Sequence, residues 1–280
     1  MFTAIKSIQD QNKDETLLLN AGDYFQGTMW FSKLKYDPVV KFGNLLNWTA
    51  MGLGNHDFDL GAEDLADFSN AVNFDLLACN LVEKKTNLKP IKYMPSKVVN
   101  VLGRQIGIIG YVTTDTPNIT APNLPNLSFL DEIESVRKEA RRLKSLNSPV
   151  DILIALGHAG YLKDLRMAEE VEEIDIVVGG HSHSFLYSGT PSEYMIEEVE
   201  GEFPTFVTQK NGRVVPVVQV YKYSKYLGHL KLSVDEQGEL LDPVDGAGVS
   251  KAGVIPKDSW VEQKLDVYRQ NLKEFYDKVG

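Results

Sequence analysis

The sequence predicts an α/β fold, and three observations predict it. Apolar runs of strand length recur along the 280 residues, polar stretches of helical character separate them, and most runs are continuously rich in Leu, Ile and Val. Strands of that kind are covered on both faces, as in a sheet flanked by helices. At 43% hydrophobic and 24% charged, the chain has an ordinary globular composition and enough length for a large core.

Taken in order, Met1 leads into "FTAIKSIQDQNKDE", which reads as an amphipathic helix and not as a secretory leader. Strand runs follow at "ETLLLNAGD", "TAMGLGNHD", "FDLLACN", "QIGIIGYVT", "VDILIALGHAG" and "IDIVVGGHSH". Helices are expected between several of them, at Ala62 to Ala71, Asp131 to Leu146 and Leu162 to Val171. The stretch "KPIKYMPSKVVNVLGRQIGIIGYV" reads as a hairpin turning near Gly103. Beyond Pro204 the runs "TFVTQKN", "VVPVVQVYKYS" and "YLGHLKLSVDEQGEL" alternate apolar and polar residues, with a turn signal at Asn211-Gly212. Antiparallel strands therefore accompany the α/β units, which points to two sheets. A charged amphipathic helix is expected from Lys257 to Lys278.

Charge narrows the function. With 29 basic against 39 acidic residues the formal net charge is -10, the wrong sign for nucleic acid, which needs a basic stripe. An acidic protein acting on phosphate esters needs a local cation instead. No run of about 18 apolar residues is present, so no transmembrane helix is expected. The single cysteine, Cys79, reads as a small buried hydrophobe. Three N-glycosylation triplets, at Asn47, Asn118 and Asn126, point toward secretion.

Chemistry collects where the apolar runs end. One closes with Gly22-Asp23, another with Gly54-Asn55-His56-Asp57, a third with Gly157-His158 and a fourth with Gly179-Gly180-His181-Ser182-His183. Ligands of open α/β sheets bind outside the carboxyl ends of the strands. A single Gly-Asp or Gly-His is ordinary turn chemistry, and His229 is read that way. Five coincident positions are not. Asp23, Asn55, His158, His181 and His183 form a mixed carboxylate, amide and imidazole set that suits Zn, Mn or Fe better than Ca or Mg. The donors are too many for one tetrahedral ion. Two ions roughly 3.5–4 Å apart, bridged by a carboxylate, form the clamp used to hydrolyse phosphate esters.

The ordered motifs "LLLNAGDYFQGT", "MGLGNHDFDLG", "ALGHAG" and "VVGGHSHSFLYSG" resemble those of the calcineurin-like metallophosphoesterases, and more narrowly the 5'-nucleotidase family. The resemblance runs from Met1 into the final helix. It implies a four-layer αββα sandwich with a dinuclear site of two divalent ions, Zn first and Mn or Co as alternatives. Residue by residue, Asp23 resembles the bridging carboxylate, and Asn55, His158 and His181 the other protein ligands of the second metal. His183 lies at the edge of the first metal or of the phosphate. His56 resembles the catalytic histidine, oriented by Asp59, and Asp57 is read as structural.

The family begins with a strand carrying Asp-x-His, both residues being ligands of the first metal, and no Asp-x-His occurs in this chain. The expectation is therefore a sandwich lacking its first strand, with an unpaired internal sheet edge. Residues 1–250 are expected to form the catalytic domain and 251–280 the start of an interdomain helix, the C-terminal nucleotide-specificity domain being absent. The implied activity is hydrolysis of nucleoside 5'-phosphates, AMP to adenosine and phosphate, by two-metal activation of water. An apyrase-like ATP and ADP hydrolase is the alternative, as is a catalytically incomplete metal- or nucleotide-binding fragment. The expected partner is a small-molecule nucleotide and the expected location extracellular, with the oligomeric state left open.

Overall fold

The computed structural model describes residues 1–12, 15–24, 26, 28–84, 87–120, 122–190, 195–235, 240–241, 248–251 and 256–279. Helix α1 (Phe2–Gln11) and strand β1 (Leu19–Asn20) come first, then α2 (Met29–Leu34) and α3 (Asp37–Leu46). Strand β2 (Ala50–Gly52) runs into a 3-10 turn (His56–Phe58) and α4 (Ala62–Ala71). Next come β3 (Leu76–Leu77), β4 (Leu81–Glu83), β5 (Ser96–Val101) and β6 (Arg104–Val112). After them lie α5 (Thr116–Ile119), β7 (Leu127–Phe129), α6 (Glu132–Lys144), β8 (Ile152–His158), α7 (Tyr161–Glu170) and β9 (Ile176–Val178). Strands β10 (Thr205–Thr208), β11 (Val214–Val218), β12 (Tyr226–His229) and β13 (Gly248–Lys251) precede the last helix, α8 (Ser259–Val279).

The expected helices fall within two residues of α4, α6 and α7. Helix α6 shows why. Asp131 caps it by accepting the Glu134 N–H at 2.9 Å, glutamates fill its first turn, and Arg141, Arg142 and Lys144 its last. Each of these groups complements the helix dipole. The β5–β6 hairpin turns at Leu102 and Gly103, both with positive φ, which matches the twist of the flanking strands.

Two larger sheets result. The smaller is parallel, in the order β1-β2-β3. The larger runs β10-β11-β9-β8-β6-β5, with β11, β9, β8 and β6 mutually parallel and an antiparallel strand at each edge. Strands β1, β2 and β3 lie side by side, and among the described residues β1 forms one edge of the smaller sheet, with β12 and β13 paired separately.

Alternation along the strands sorts their side chains into layers. In β6, Ile106 and Ile108 face one core while Ile109 and Tyr111 face another; in β8, Ile152, Ile154 and Leu156 face the first, and Leu153 and Ala155 the second. Ala50 of β2 and Leu77 of β3 join the first core, which therefore lies between the two sheets. Their neighbours Met51 and Leu76 turn the other way, against α4 residues Leu65, Ala66 and Phe68. The outer face of the larger sheet packs on Val136, Ala140 and Leu143 of α6 and on Met167 and Ala168 of α7. The order of layers is thus helix, sheet, sheet, helix: the four-layer αββα sandwich. Each fully buried aliphatic side chain contributes about 1.5–3 kcal/mol. The sheets approach so closely at Gly110 that a Cβ there would stand 2.3 Å from the Leu77 carbonyl.

Helix α8 folds back on the first helices. Its Tyr268 ring lies 6.3 Å from Trp30 and 5.8 Å from Phe42, and the hydroxyl donates to Asp37 Oδ2 at 3.0 Å. Residues 252–255, next to the expected domain boundary at 250, lie outside the described residues, as do Phe25 and Gly27 of "GDYFQGT" and residues 236–239 of the last alternating run.

Candidate metal centre at the strand ends

Parallel strands place β1, β2, β8 and β9 with their carboxyl ends on one side, and the polar clusters follow those ends. Two glycines let the β1 and β2 loops touch. Gly22 has φ +91°, and a Cβ on it would meet the Gly54 nitrogen at 2.6 Å; a Cβ on Gly54 would stand 2.3 Å from Asp23 Oδ1. Asp57 ties the loops together from below. Fully buried, it accepts the Gly54 N–H at 2.8 Å and the Tyr24 N–H at 3.0 Å. Burial, and then the Asp23 charge, push its carboxyl up to about 7.

Asp23, with φ 56°, accepts the His56 backbone N–H on Oδ1 at 2.8 Å, and its Oδ2 lies 2.9 Å from His158 Nε2. Burial works to raise its carboxyl, but the hydrogen bond and charge of His158 outweigh that and hold it below the ordinary value. His158 ends β8, is buried, and donates from Nδ1 to the Ala21 carbonyl at 2.6 Å. Burial works to lower the His158 pKa, but the Asp23 contact raises it on balance; with the Nε2 proton displaced, as metal binding requires, Nε2 is a lone pair. The Nε2–Oδ2 distance is that of an ion pair, yet among the described residues Nε2 has no hydrogen-bond partner. A cation held by nitrogen and carboxylate together would satisfy both atoms.

Asn55 is buried, and its Oδ1 faces His181 Nδ1 at 2.8 Å. Burial, then the nearby His158 charge, depress the His181 pKa and keep the ring neutral, the state in which imidazole binds metal. The donors stand as two couples, Asp23 with His158 and Asn55 with His181, whose imidazoles meet edge to face at 5.1 Å between centroids. Among the described residues no three His, Cys, Asp or Glu side chains converge by themselves on a metal position. The amide of Asn55 is needed to complete a set of four. These four residues fit one divalent ion, on the orphaned Nε2 and the chemistry of the donors; among the described residues no comparable set stands for a second.

His183 is apart from the couples. With φ 58° it turns toward Tyr223, ring to ring at 6.3 Å. His56 opens the 3-10 turn and is about two-fifths exposed. Its Nδ1 donates to Asp59 Oδ2 at 2.7 Å, leaving Nε2 for the cleft. Asp59 is held in turn by the Thr120 hydroxyl at 2.7 Å and the Gln26 amide at 2.6 Å. Sequence reasoning named neither. It also passed over Gln219, which fixes the loop bearing His181 and His183 by accepting the Ser184 N–H at 2.6 Å and donating to the Gly180 carbonyl at 3.2 Å. A lone polar residue closing the run "VVPVVQ" was the available signal. Cys79, expected buried, is half-buried and packs against the core behind the larger sheet; burial pushes its thiol upward.

A centre of this composition on an αββα sandwich defines a metallophosphoesterase-type domain. The chain belongs to the calcineurin-like phosphoesterase family, which it matches over residues 2–185. It is 39% identical over 278 residues to the 5'-nucleotidase of Mus musculus, covering 98% of this chain and 47% of that protein. A snake venom 5'-nucleotidase of Gloydius brevicauda is 43% identical over 233 residues, 82% of this chain and 39% of the relative. Among solved structures, the 5'-nucleotidase precursor of Thermus thermophilus superposes with a TM-score of 0.86 at 33% identity, covering 97% of this chain and 52% of that one. The chain thus spans about half the length of its relatives and corresponds to the N-terminal domain of 5'-nucleotidase-type proteins.

Proposed function

We propose that the protein is a divalent-metal-dependent phosphohydrolase acting on nucleoside 5'-phosphates outside the cell. AMP is the first substrate, with an apyrase-like range over ADP and ATP as the variant. One observation carries the reading: Asp23, Asn55, His158 and His181 meet as two donor couples beside a histidine anchored by a carboxylate. Of the two ions that the family resemblance implies, these residues hold one. Asp23, His158, Asn55 and His181 would hold it, with Zn the first choice and Mn or Co alternatives. His183 is assigned to the substrate side. Bound there, a divalent ion supplies Lewis acidity and a water acidified toward neutral pH.

The remaining work falls to the chain's own groups. Asp59 fixes the His56 tautomer, so that Nε2 can carry a proton toward a phosphoryl or departing oxygen; such help is worth ~10²–10⁴-fold. Residues 1–250 are assigned as the catalytic domain and 251–280 as the start of a helix leading to a further domain. Extracellular action is supported by the secreted character of the snake-venom relatives and by exposure of Asn47 and Asn118 in their acceptor triplets. No helix among the described residues is long and apolar enough to cross a membrane.

The test is phosphate release from AMP, ADP and ATP with Zn, Mn or Co added, alongside His56→Ala and Asp23→Asn. Metal-dependent release lost in both variants is the expected result. Metal uptake with no release from the unaltered chain would leave a binder and refute the hydrolase.

A further inference from the structure

The loop after β11 stands beside this centre and has no part in the chemistry above. Tyr221, Tyr223 and Ser224 have φ of 63°, 58° and 51°, a conformation that residues with side chains adopt rarely. Such strain persists where the surroundings hold it, and it gathers at ligand clamps and active sites. Here it sets Lys222 between two rings, with Nζ 5.3 Å from the centroids of both Tyr221 and Tyr223. Cation–π contact on two sides restrains an otherwise mobile ammonium.

That ammonium lacks a counter-charge. Lys225, three residues on, is paired with Glu197; Lys222 has no carboxylate partner among the described residues. It also faces the centre. Tyr223 is 80% exposed and ring to ring with His183. A fixed cation beside a cation site is repulsive unless an anion lies between them, and then both attract it.

We propose that the Tyr221–Ser224 loop is a phosphoryl subsite. In it Lys222, clamped by Tyr221 and Tyr223, takes a non-bridging oxygen of a nucleoside phosphate whose reacting group lies at the Asp23–His158 couple. The identity of the anion rests on the phosphohydrolase reading. A nucleoside diphosphate, with a second phosphoryl group to reach the ammonium, gains more from the subsite than a monophosphate does.

The experiment is calorimetric binding of inorganic phosphate and of ADP to the Mn-loaded full chain, with Lys222→Ala and Lys222→Arg, and Mn uptake measured for each. Lys222→Ala should weaken both anions roughly tenfold, the scale of one charge-assisted hydrogen bond. Lys222→Arg should keep most of the affinity, and Mn uptake should be unchanged throughout. Where turnover is present, Lys222→Ala should raise KM for ADP more than for AMP at constant kcat, the mark of lost uniform binding. Equal anion affinity in Lys222→Ala and the unaltered chain overturns the subsite, as does a loss that appears only together with lost Mn. Weakened anion binding in a protein that never releases phosphate upholds the subsite and removes the hydrolase reading.

Discussion

Gly54→Ala tests the centre through its backbone. The new Cβ would stand 2.4 Å from the Asp23 nitrogen and 2.3 Å from its Oδ1, against the ~3.5 Å at which such atoms rest. The two loops must therefore part by about 1 Å. That movement loosens the His56 N–H bond to Asp23 and the Gly54 N–H bond to Asp57, both 2.8 Å. Overpacking on this scale costs about 1–3 kcal/mol, and a weakened buried hydrogen bond adds about 1 kcal/mol. For a chain of this size the sum corresponds to a Tm lower by roughly 5–10 °C. Displacing a catalytic array by ~1 Å costs on the order of 10²-fold in rate. Scanning calorimetry, Mn titration and phosphate release measure the three effects. Gly103→Ala is the control: Gly103 also has positive φ, but no atom lies within 4 Å of its Cβ position. It should lose about 1 kcal/mol to backbone strain and keep metal affinity and turnover. A Gly54→Ala protein that binds Mn and hydrolyses like the unaltered chain would refute the close-contact argument.

Thr120→Val removes the hydroxyl that steadies Asp59. Phosphate release should fall ~10-fold with Mn affinity intact, and unchanged release would strip Thr120 of its positioning role. Manganese at about 100 times its Kd should raise unfolding stability by ~2.7 kcal/mol over chelated protein. His158→Ala should abolish that gap in scanning calorimetry, and a persisting gap would move the ion elsewhere. Asp164, fully buried with Tyr111 donating to it, has its carboxyl pushed by burial up to about 7 from 3.8. The native state then holds a proton that the unfolded chain releases, so stability is full below pH 3.8 and is lost as pH rises through 7. The span is about 4 kcal/mol. In chelated protein, denaturant titrations should show that slope flattened in Asp164→Asn, and an identical slope in both would exclude Asp164 as its source.

What the sequence made legible was what is local. Continuous apolar runs announce buried strands, and a Gly-His or Gly-Asp at the end of each is read without knowing which strand lies beside which. The supports of the centre were hidden because their partners are remote: Thr120 lies 61 residues from Asp59, Gln26 33 from Asp59, and Gln219 35 from Ser184. The Thr of "NIT" was legible only as part of a glycosylation triplet, although its hydroxyl is spent on Asp59. Helices α2 and α3 went unnamed because α2 has only six residues and α3, though as long as α4, carries Pro38 and Gly43, which read as breaks. Docking of α8 on them rests on Tyr268, whose partners Asp37 and Phe42 lie more than 200 residues earlier.

The opposite fates of Asp57 and Asp59 show how finely local geometry assigns chemistry. The turn at His56–Phe58 is 3-10, with three residues per turn, so positions i and i+3 eclipse. Residue 59 therefore comes under His56 and can accept from its Nδ1. Residue 57 lies a third of a turn away and points into the core, where backbone N–H groups of both loops meet it. The other neighbouring position on such a face, four residues on, is Leu60, which has nothing to offer an imidazole. A carboxylate three residues on, in a turn held from beneath by Asp57, makes a polar strand end into an oriented imidazole beside a metal-binding couple.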